Sequence, residues 1–347
     1  MPLIKAEDLE AVCAVLLTAY GTPQEEASQV GRLLVAANLA GHDSHGVLRL
    51  PQYLGTIDSG KCKPGAEVCT VKEAPAMAVL DGGWNFGQVV AGRAAELAIA
   101  KAKSCALATV TAHHSNHVGR LADYCRMAAE AGCVGIMAVN GHGGDQGVAP
   151  FGGADRRLPT NPIGFGFPTG KGFPFLLDMT TSMAAGGKFR VAIARNESVP
   201  EGWILDSEGR PSTNPRDYFG PPPGCALPFG GYKGFGLSLV VDVLAGALNL
   251  AGCSSSEPDH AANAFFFQAI HIESFSPMDE FLFQVDRLID HVKASPPAEG
   301  VDEVLVPGES SSRRAVDRIA NGIPVEDSTW QVLMEVASKK GIVLDEL

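Results

Sequence analysis

Val134-Gly-Ile-Met-Ala-Val139, then Asn140-Gly-His-Gly-Gly-Asp-Gln146, then Gly147-Val-Ala-Pro-Phe-Gly-Gly153: a strand pattern runs into glycines, where a dinucleotide fold would carry its signature. The G-x-G-x-x-G fingerprint needs a helix to open behind the glycines, so that backbone amides meet a pyrophosphate. Gly141 and Gly143 have the spacing, but Val148, Ala149, Pro150 and the glycines behind them cannot open a helix. Gly164-x-Gly166 runs into Pro168 and fails in the same way, and no Walker A sequence occurs. A nucleotide site in this chain has to be built without the usual turn.

Outward from that stretch, strand and helix patterns alternate. Ala106–Ala112 and Phe173–Asp178 read as strands, and Ala76–Leu80 is a short apolar run ending at Asp81-Gly82-Gly83. Gln88–Lys103 and Val118–Ala131 read as helices. Asn140–Gly172 and Glu197–Gly231 are turn-dense, and long irregular loops in a packed chain are more often functional than idle. The chain opens with a helical hairpin. Ala6–Tyr20 carries Leu9, Val12, Cys13, Leu16 and Leu17 at helical spacing, and a second helix follows to about Gly41. Thr22-Pro23-Gln24-Glu25 reads as a capping box for that second helix. Towards the other end come a strand at Ala264–Ile270, a helix at Met278–Lys293, a strand at Glu303–Val306 and two closing helices. Ser295–Gly300 is the clearest linker. This interleaving points to an α/β or α+β fold.

Composition bounds the function. The chain has 347 residues, 46% of them hydrophobic, enough for about two domains with real cores. Lys+Arg is 27 against Asp+Glu 39, and the net charge of −12 argues against nucleic acid or an anionic membrane as partner. The eight cysteines contain no C-x-x-C pair, and the N-terminus reads as no secretory signal, so free thiols in the cytoplasm are expected. Gly234–Gly252 is long and apolar, but Asp242 at its centre would cost about 2.5–3.5 kcal/mol on insertion. A buried core helix is expected there, and no membrane span.

Three clusters can carry chemistry. Gly230-Gly231-Tyr232-Lys233-Gly234 precedes that helix, where amides and a lysine suit an anion; the bland alternative is a tight glycine turn. His113, His114 and His117 offer an acid/base residue, satisfied structural histidines or metal ligands. No H-E-x-x-H occurs and no carboxylate lies within the cluster, so no metal site is expected. His42-Asp43-Ser44-His45-Gly46-Val47-Leu48-Arg49 holds a hydroxyl, imidazoles and a guanidinium in one loop. Without a G-x-S-x-G elbow it suits a binding loop better than a hydrolase triad. Arg49 can hold a carboxylate in a bidentate fork; on its own, a surface ion pair is the more common role of such a residue.

Together these motifs resemble the malate/L-lactate dehydrogenase family of the second, non-Rossmann type. The resemblance rests on Ser44-His45-Gly46-Val47 with Arg49, His114-Ser115-Asn116-His117-Val118-Gly119, Pro150-Phe151-Gly152-Gly153 and Thr160-Asn161-Pro162-Ile163. It continues through Asp178-Met179-Thr180-Thr181-Ser182, Pro200-Glu201-Gly202-Trp203, Pro228–Gly234 and Pro307-Gly308-Glu309, in order along nearly the whole chain. The fold it implies is α/β with α+β character. A mixed or largely antiparallel sheet, unlike Rossmann's, lies with helices in 71–294, with a subdivision near 120–235 left open. A mainly helical domain is built from both chain ends, 1–70 and 295–347.

The activity implied is hydride transfer between NAD or NADP and a small 2-oxo or 2-hydroxy acid, in a cytoplasmic homodimer. By the same resemblance His117 is the proton-transferring residue, with Ser44 and His45 beside it in the catalytic loop. Arg49 would hold the substrate carboxylate and Thr160 lie near the substrate. Asn140, Gly141, Asp178, Met179, Thr180, Lys233, Pro307, Gly308 and Glu309 would contact the cofactor. Three features depart from the usual pattern: the glycine-rich Gly141–Gln146, Asn214 where Asp is common, and Thr180 for a frequent Ala. They keep two alternatives open, a cyclic imino-acid reductase of the same family and a non-catalytic dinucleotide- or anion-binding protein.

Overall fold

The computed structural model describes residues 1–141, 146–255 and 262–344. In chain order, strand β1 (Leu3–Ile4) leads into helices α1 (Ala6–Ala19), α2 (Gln24–Leu39) and α3 (Leu50–Asp58). Strands β2 (Cys69–Ala74) and β3 (Met77–Asn85) precede α4 (Gly87–Cys105), β4 (Leu107–Ser115), α5 (Leu121–Glu130) and β5 (Cys133–Asn140). Strands β6 (Ile163–Phe167) and β7 (Phe175–Met179) are followed by α6 (Gly186–Ala194). Short pieces come next: β8 (Ile204–Leu205), β9 (Pro211–Ser212), α7 (Arg216–Phe219) and β10 (Cys225–Ala226). The chain ends with α8 (Tyr232–Ala245), β11 (Asn263–His271), α9 (Met278–Lys293), α10 (Glu309–Asn321), β12 (Ile323–Pro324) and α11 (Asp327–Lys339).

The main sheet has seven strands in the order β2-β3-β4-β11-β5-β6-β7. Only β3 and β4 run parallel; the other neighbours are antiparallel. The sheet is therefore mixed and largely antiparallel. Alanine-rich α4 lies on it through Val90, Ala91, Ala94, Ala95 and Ala98, all buried, and small side chains let helix and sheet approach closely. A second core joins the two chain ends: Leu9, Leu16 and Leu34 pack with Ile323, Leu333 and Ala337, while β1 pairs with β12.

Several local readings need correction. Pro23 itself occupies the N-cap of α2, no side chain caps it, and Thr22 Oγ1 is buried without a partner, so the capping box does not form. Residues 303–306 lie in no strand; the link there is Leu176 N donating to Pro307 O. The turn-dense reading of 140–172 hides β6, and neither β2 nor α6 stood out. The apolar helix stops at Ala245, and Leu239, Val240 and Val243 are exposed, so α8 is buried on one side only. Among the described residues no helix is long and apolar enough to cross a membrane. His142–Asp145, the heart of the glycine-rich departure, lie outside the described residues.

Candidate active site

His117 sits in the segment between β4 and α5, where the strand has ended and α5 has not begun. Tyr53 on α3 reaches it: Tyr53 Oη lies 2.7 Å from His117 Nδ1 and accepts a hydrogen bond from Gln88 Nε2 of α4 at 2.8 Å. The His45 ring stacks against His117, centroids 5.7 Å apart and planes 24° from parallel. Burial, then the charges of His45 and Arg49, hold the His117 pKa well below the usual imidazole range. The ring is therefore neutral at neutral pH in the free protein.

The 42–49 loop is shaped by its own hydrogen bonds. Val47 N donates to Asn38 Oδ1, and Asn38 Nδ2 donates to Asp43 Oδ1. A Cβ on Gly46 would lie 2.1 Å from Asn38 Oδ1, so only glycine lets the loop pass there. Ser44 Oγ is 3.1 Å from His45 Nδ1, and Arg49 Nε donates to Ser44 O at 2.8 Å. Burial, with Arg49, His42 and Arg120 adding to it, brings the His45 pKa down to about 4. Arg49 also donates to Gln52 Oε1, which uses two of its five N–H hydrogens and leaves the rest for a ligand. The loop and His117 thus meet, as the motifs imply.

Sequence reasoning missed Tyr53, Arg120 and Arg190, though it marks Lys188 as a candidate for a local positive pocket. Tyr53 stands four residues after Arg49, one helical turn on, and that spacing was the available signal. Arg120 is buried; its Nη1 donates to Asp123, while its Nε has no partner. Its charge depresses the pKa of both His42 and His45. α6 also borders the loop, since a Cβ on Gly187 would sit 3.3 Å from that of Ser44. It brings Lys188, whose charge bears on His42, and Arg190, whose charge bears on Arg49. An acidic protein has here concentrated Arg49, Arg120, Lys188 and Arg190 around one loop, which suits an anionic ligand.

The other motif residues converge on β7 and the end of β5. Asp178 Oδ2 accepts from Ala122 N at 3.0 Å, and Leu121 N also bonds its carboxylate, so Asp178 caps α5. Burial nonetheless raises its pKa. Met179 is half-buried against Ile163 and Val241, and Thr180 Oγ1 donates to Ser182 O. Gly308, at φ 96°, leaves no room for a Cβ, which would meet Pro174 O at 2.4 Å. Glu309 binds Lys293 and Arg313 and accepts from Val306 N. Asn140 Nδ2 donates to Asp242 Oδ1 and Gly252 O, and Gly141 packs near Pro159.

Thr160 O accepts from Thr181; no hydrogen bond among the described residues joins Thr160 to His117. Lys233 is exposed on the first turn of α8, but Gly234 N already bonds Phe229 O and Phe235 N bonds Gly231 O. That helix end is partly satisfied by its own glycine turn.

The chain matches the malate/L-lactate dehydrogenase family over residues 4–334. It is 37% identical to a malate dehydrogenase of Pyrococcus abyssi over 350 residues, 98% of this chain and 95% of that one. Its fold superposes on sulfolactate dehydrogenase of Methanocaldococcus jannaschii with TM-score 0.91 and 35% identity, covering 99% of each chain. It superposes on Δ1-piperideine-2-carboxylate reductase of Pseudomonas syringae with TM-score 0.83 and 25% identity, covering 97% of this chain and 100% of that one. With motifs, sheet order and whole-length similarity in agreement, the chain belongs to the malate/L-lactate dehydrogenase family of oxidoreductases.

Proposed function

We propose that this protein transfers a hydride between NAD or NADP and a short 2-oxo or 2-hydroxy acid, with His117 as the acid/base group and Arg49 on the substrate carboxylate. The observation that carries the reading is the buried His117 ring bracketed by Tyr53 and His45, with Arg49 near enough that its charge, after burial and His45, lowers the ring's pKa. The nicotinamide, when bound, supplies or accepts the hydride. Arg120 fits such a ligand, since a buried guanidinium with an unpaired N–H suits a phosphate or carboxylate anion. Asn140, Asp178 and Glu309 are committed to internal hydrogen bonds, so they would shape the dinucleotide's seat rather than grip it. Gly141, Met179, Thr180, Pro307 and Gly308 would supply backbone and surface, and Lys233 an outlying charge.

The geometry supports the following part for the chain's own residues. Arg49 fixes the acid through a fork of N–H groups. Tyr53 and Gln88 hold the ring by Nδ1, which leaves Nε2 to give or take the proton on the substrate oxygen. Ser44 and His45 wall the loop side, and Thr160 is assigned near the substrate by the family resemblance alone. Orientation of this kind can be worth about 7–11 kcal/mol, and general acid–base help typically adds 10²–10⁴-fold.

A panel of 2-oxo acids with NADH and with NADPH, read by loss of reduced-nicotinamide absorbance, tests the proposal. Turnover is expected on at least one acid, and cofactor binding without turnover on any would overturn it. The similarity to the piperideine-2-carboxylate reductase favours including a cyclic imine. A preference for the imine would move the substrate class and leave the site intact. We also propose a homodimer, as the resemblance implies, through the exposed Leu239, Val240 and Val243 of α8. Light scattering should give twice the chain mass, and Val240→Glu should shift it to the monomer.

A further inference from the structure

We propose that Asp81, His113 and His114 form a binding site for a divalent transition metal of the zinc class, apart from the residues around His117. In a strand, successive side chains point to opposite faces, so His113 and His114 should not meet one carboxylate. They do so because the backbone is bent on both strands. His114 has φ 50°, in the left-handed region, and its ring lies edge-on to that of His113 with centroids 4.6 Å apart. On β3 the register against β4 shifts between Asp81 and Asn85, where Gly83 and Trp84 also have positive φ. Gly82 passes so close that a Cβ would lie 2.7 Å from His114 O. Backbone strain of this kind persists where the surroundings over-determine it, and it clusters at functional sites.

The donor atoms have the spacing an ion needs. Asp81 Oδ1 is 3.0 Å from His114 Nδ1, Asp81 Oδ2 is 3.7 Å from His113 Nε2, and the three ligand atoms lie within 4.8 Å of one another. A tetrahedral ion with bonds of about 2.0–2.2 Å sets its ligand atoms about 3.4 Å apart. An ordinary hydrogen bond accounts for His114 but not for His113. His113 Nε2 lies beyond hydrogen-bond reach of the carboxylate, which leaves that nitrogen for an ion; the ring's other nitrogen, Nδ1, is buried without a partner and is no part of the donor set. The Gly83 amide holds Asp81 Oδ1 in place. Asp81 and His114 are 32% and 45% exposed, which leaves an entry path and room for water to complete the coordination.

Two imidazoles and a carboxylate, with no thiolate, suit Zn²⁺, Co²⁺, Ni²⁺ or Cu²⁺ rather than Ca²⁺ or Mg²⁺. The His113–His117 run holds no carboxylate of its own, and the fold brings one from β3. His117 takes no part in the site. A bound ion would pin the β3 bulge to β4 next to the segment that carries His117, since Asn116 Nδ2 already bonds Trp84 O at 2.7 Å.

The test uses the full chain without a histidine tag, stripped by chelator and titrated calorimetrically with Zn²⁺, and with Co²⁺ for its visible spectrum. One ion per chain and a rise in Tm with added Zn²⁺ are expected. Asp81→Asn and His114→Gln should each weaken binding at least tenfold, while His117→Gln should not. Should Asp81→Asn fail to fold, His113→Gln with an unchanged Tm in chelator decides the matter. The proposal is overturned by the absence of saturable binding, by equal binding in the variants, or by a thiolate-to-Co²⁺ band placing the ion on an exposed cysteine such as Cys69.

Discussion

Around His117 polar atoms are short of partners, and along the β7 edge they are saturated. In the first region Arg120 Nε and Gln88 Oε1 are buried without a hydrogen bond, and Arg49 has donors to spare. In the second, Asp178 takes the α5 amides, while Glu309 takes Lys293, Arg313 and the Val306 amide. Leaving buried polar groups unpaired costs free energy that a ligand can recover. Saturating them stabilises the fold and offers a ligand only backbone and shape. Both regions carry family motifs, so a motif alone does not separate a gripping side chain from a scaffolding one.

The sharpest way to break this contrast is to remove one side chain from each region. His117→Ala should lower kcat by about 10²–10⁴-fold, the usual worth of an acid/base group, with the denaturation midpoint nearly unchanged. Near-normal turnover would take His117 out of the proton-transfer role. Glu309→Ala should do the reverse. It strands Lys293 and Arg313 and should lower unfolding stability by about 1–3 kcal/mol, read from the urea midpoint at constant m, with KM for the acid unchanged. A raised KM for cofactor at unchanged stability would show that Glu309 meets the ligand instead. Arg49→Lys, which keeps charge and loses the fork, should raise KM for the acid about tenfold and spare cofactor binding. An unchanged KM would place the carboxylate elsewhere.

How far the fold was legible depended on what each residue had to do locally. α1 follows helical periodicity because it buries one stripe, and its limits, like those of α9, which buries only Ile289, fall within a residue of the reading. β6, Ile163-Gly-Phe-Gly-Phe167, was hidden by its glycines, which look like a turn. They are there for packing: a Cβ on Gly166 would sit 2.7 Å from Cys125 O, and one on Gly164 3.1 Å from Leu121 Cβ, so α5 can lie only on a strand without side chains at those positions. α6 opens on two glycines and buries Phe189 without a clear stripe. In the site, His117 and Arg49 were legible because their motifs are dense. α3 did not stand out as a helix, and neither did Tyr53 upon it. Its partner lies 64 residues away, a pairing only the fold creates.

Tyr53 also gives the smallest and most specific test. With the neutral ring in its Nε2–H tautomer, Tyr53 accepts from Gln88 and donates its hydroxyl hydrogen to His117 Nδ1; taking a proton at Nε2 needs the Nδ1–H tautomer, which donates to Tyr53 Oη as the protonated ring does. With the protonated ring, Nδ1–H donates to Tyr53 Oη, whose own hydrogen then needs an acceptor. Gln88 Oε1, buried and unpartnered, becomes that acceptor when the amide flips. The chain therefore serves both protonation states, but a charge-assisted hydrogen bond is about twice as strong as a neutral one. Tyr53→Phe costs the imidazolium more and lowers an already depressed pKa further. For oxidation, which needs the neutral ring, kcat/KM should hold to a lower pH before it falls. For reduction, which needs the protonated ring, kcat/KM at neutral pH should fall about tenfold, and its decline with rising pH should begin earlier. A residue that only packs would lower the Tm and leave both limbs where they were, so unmoved limbs would return Tyr53 to the core.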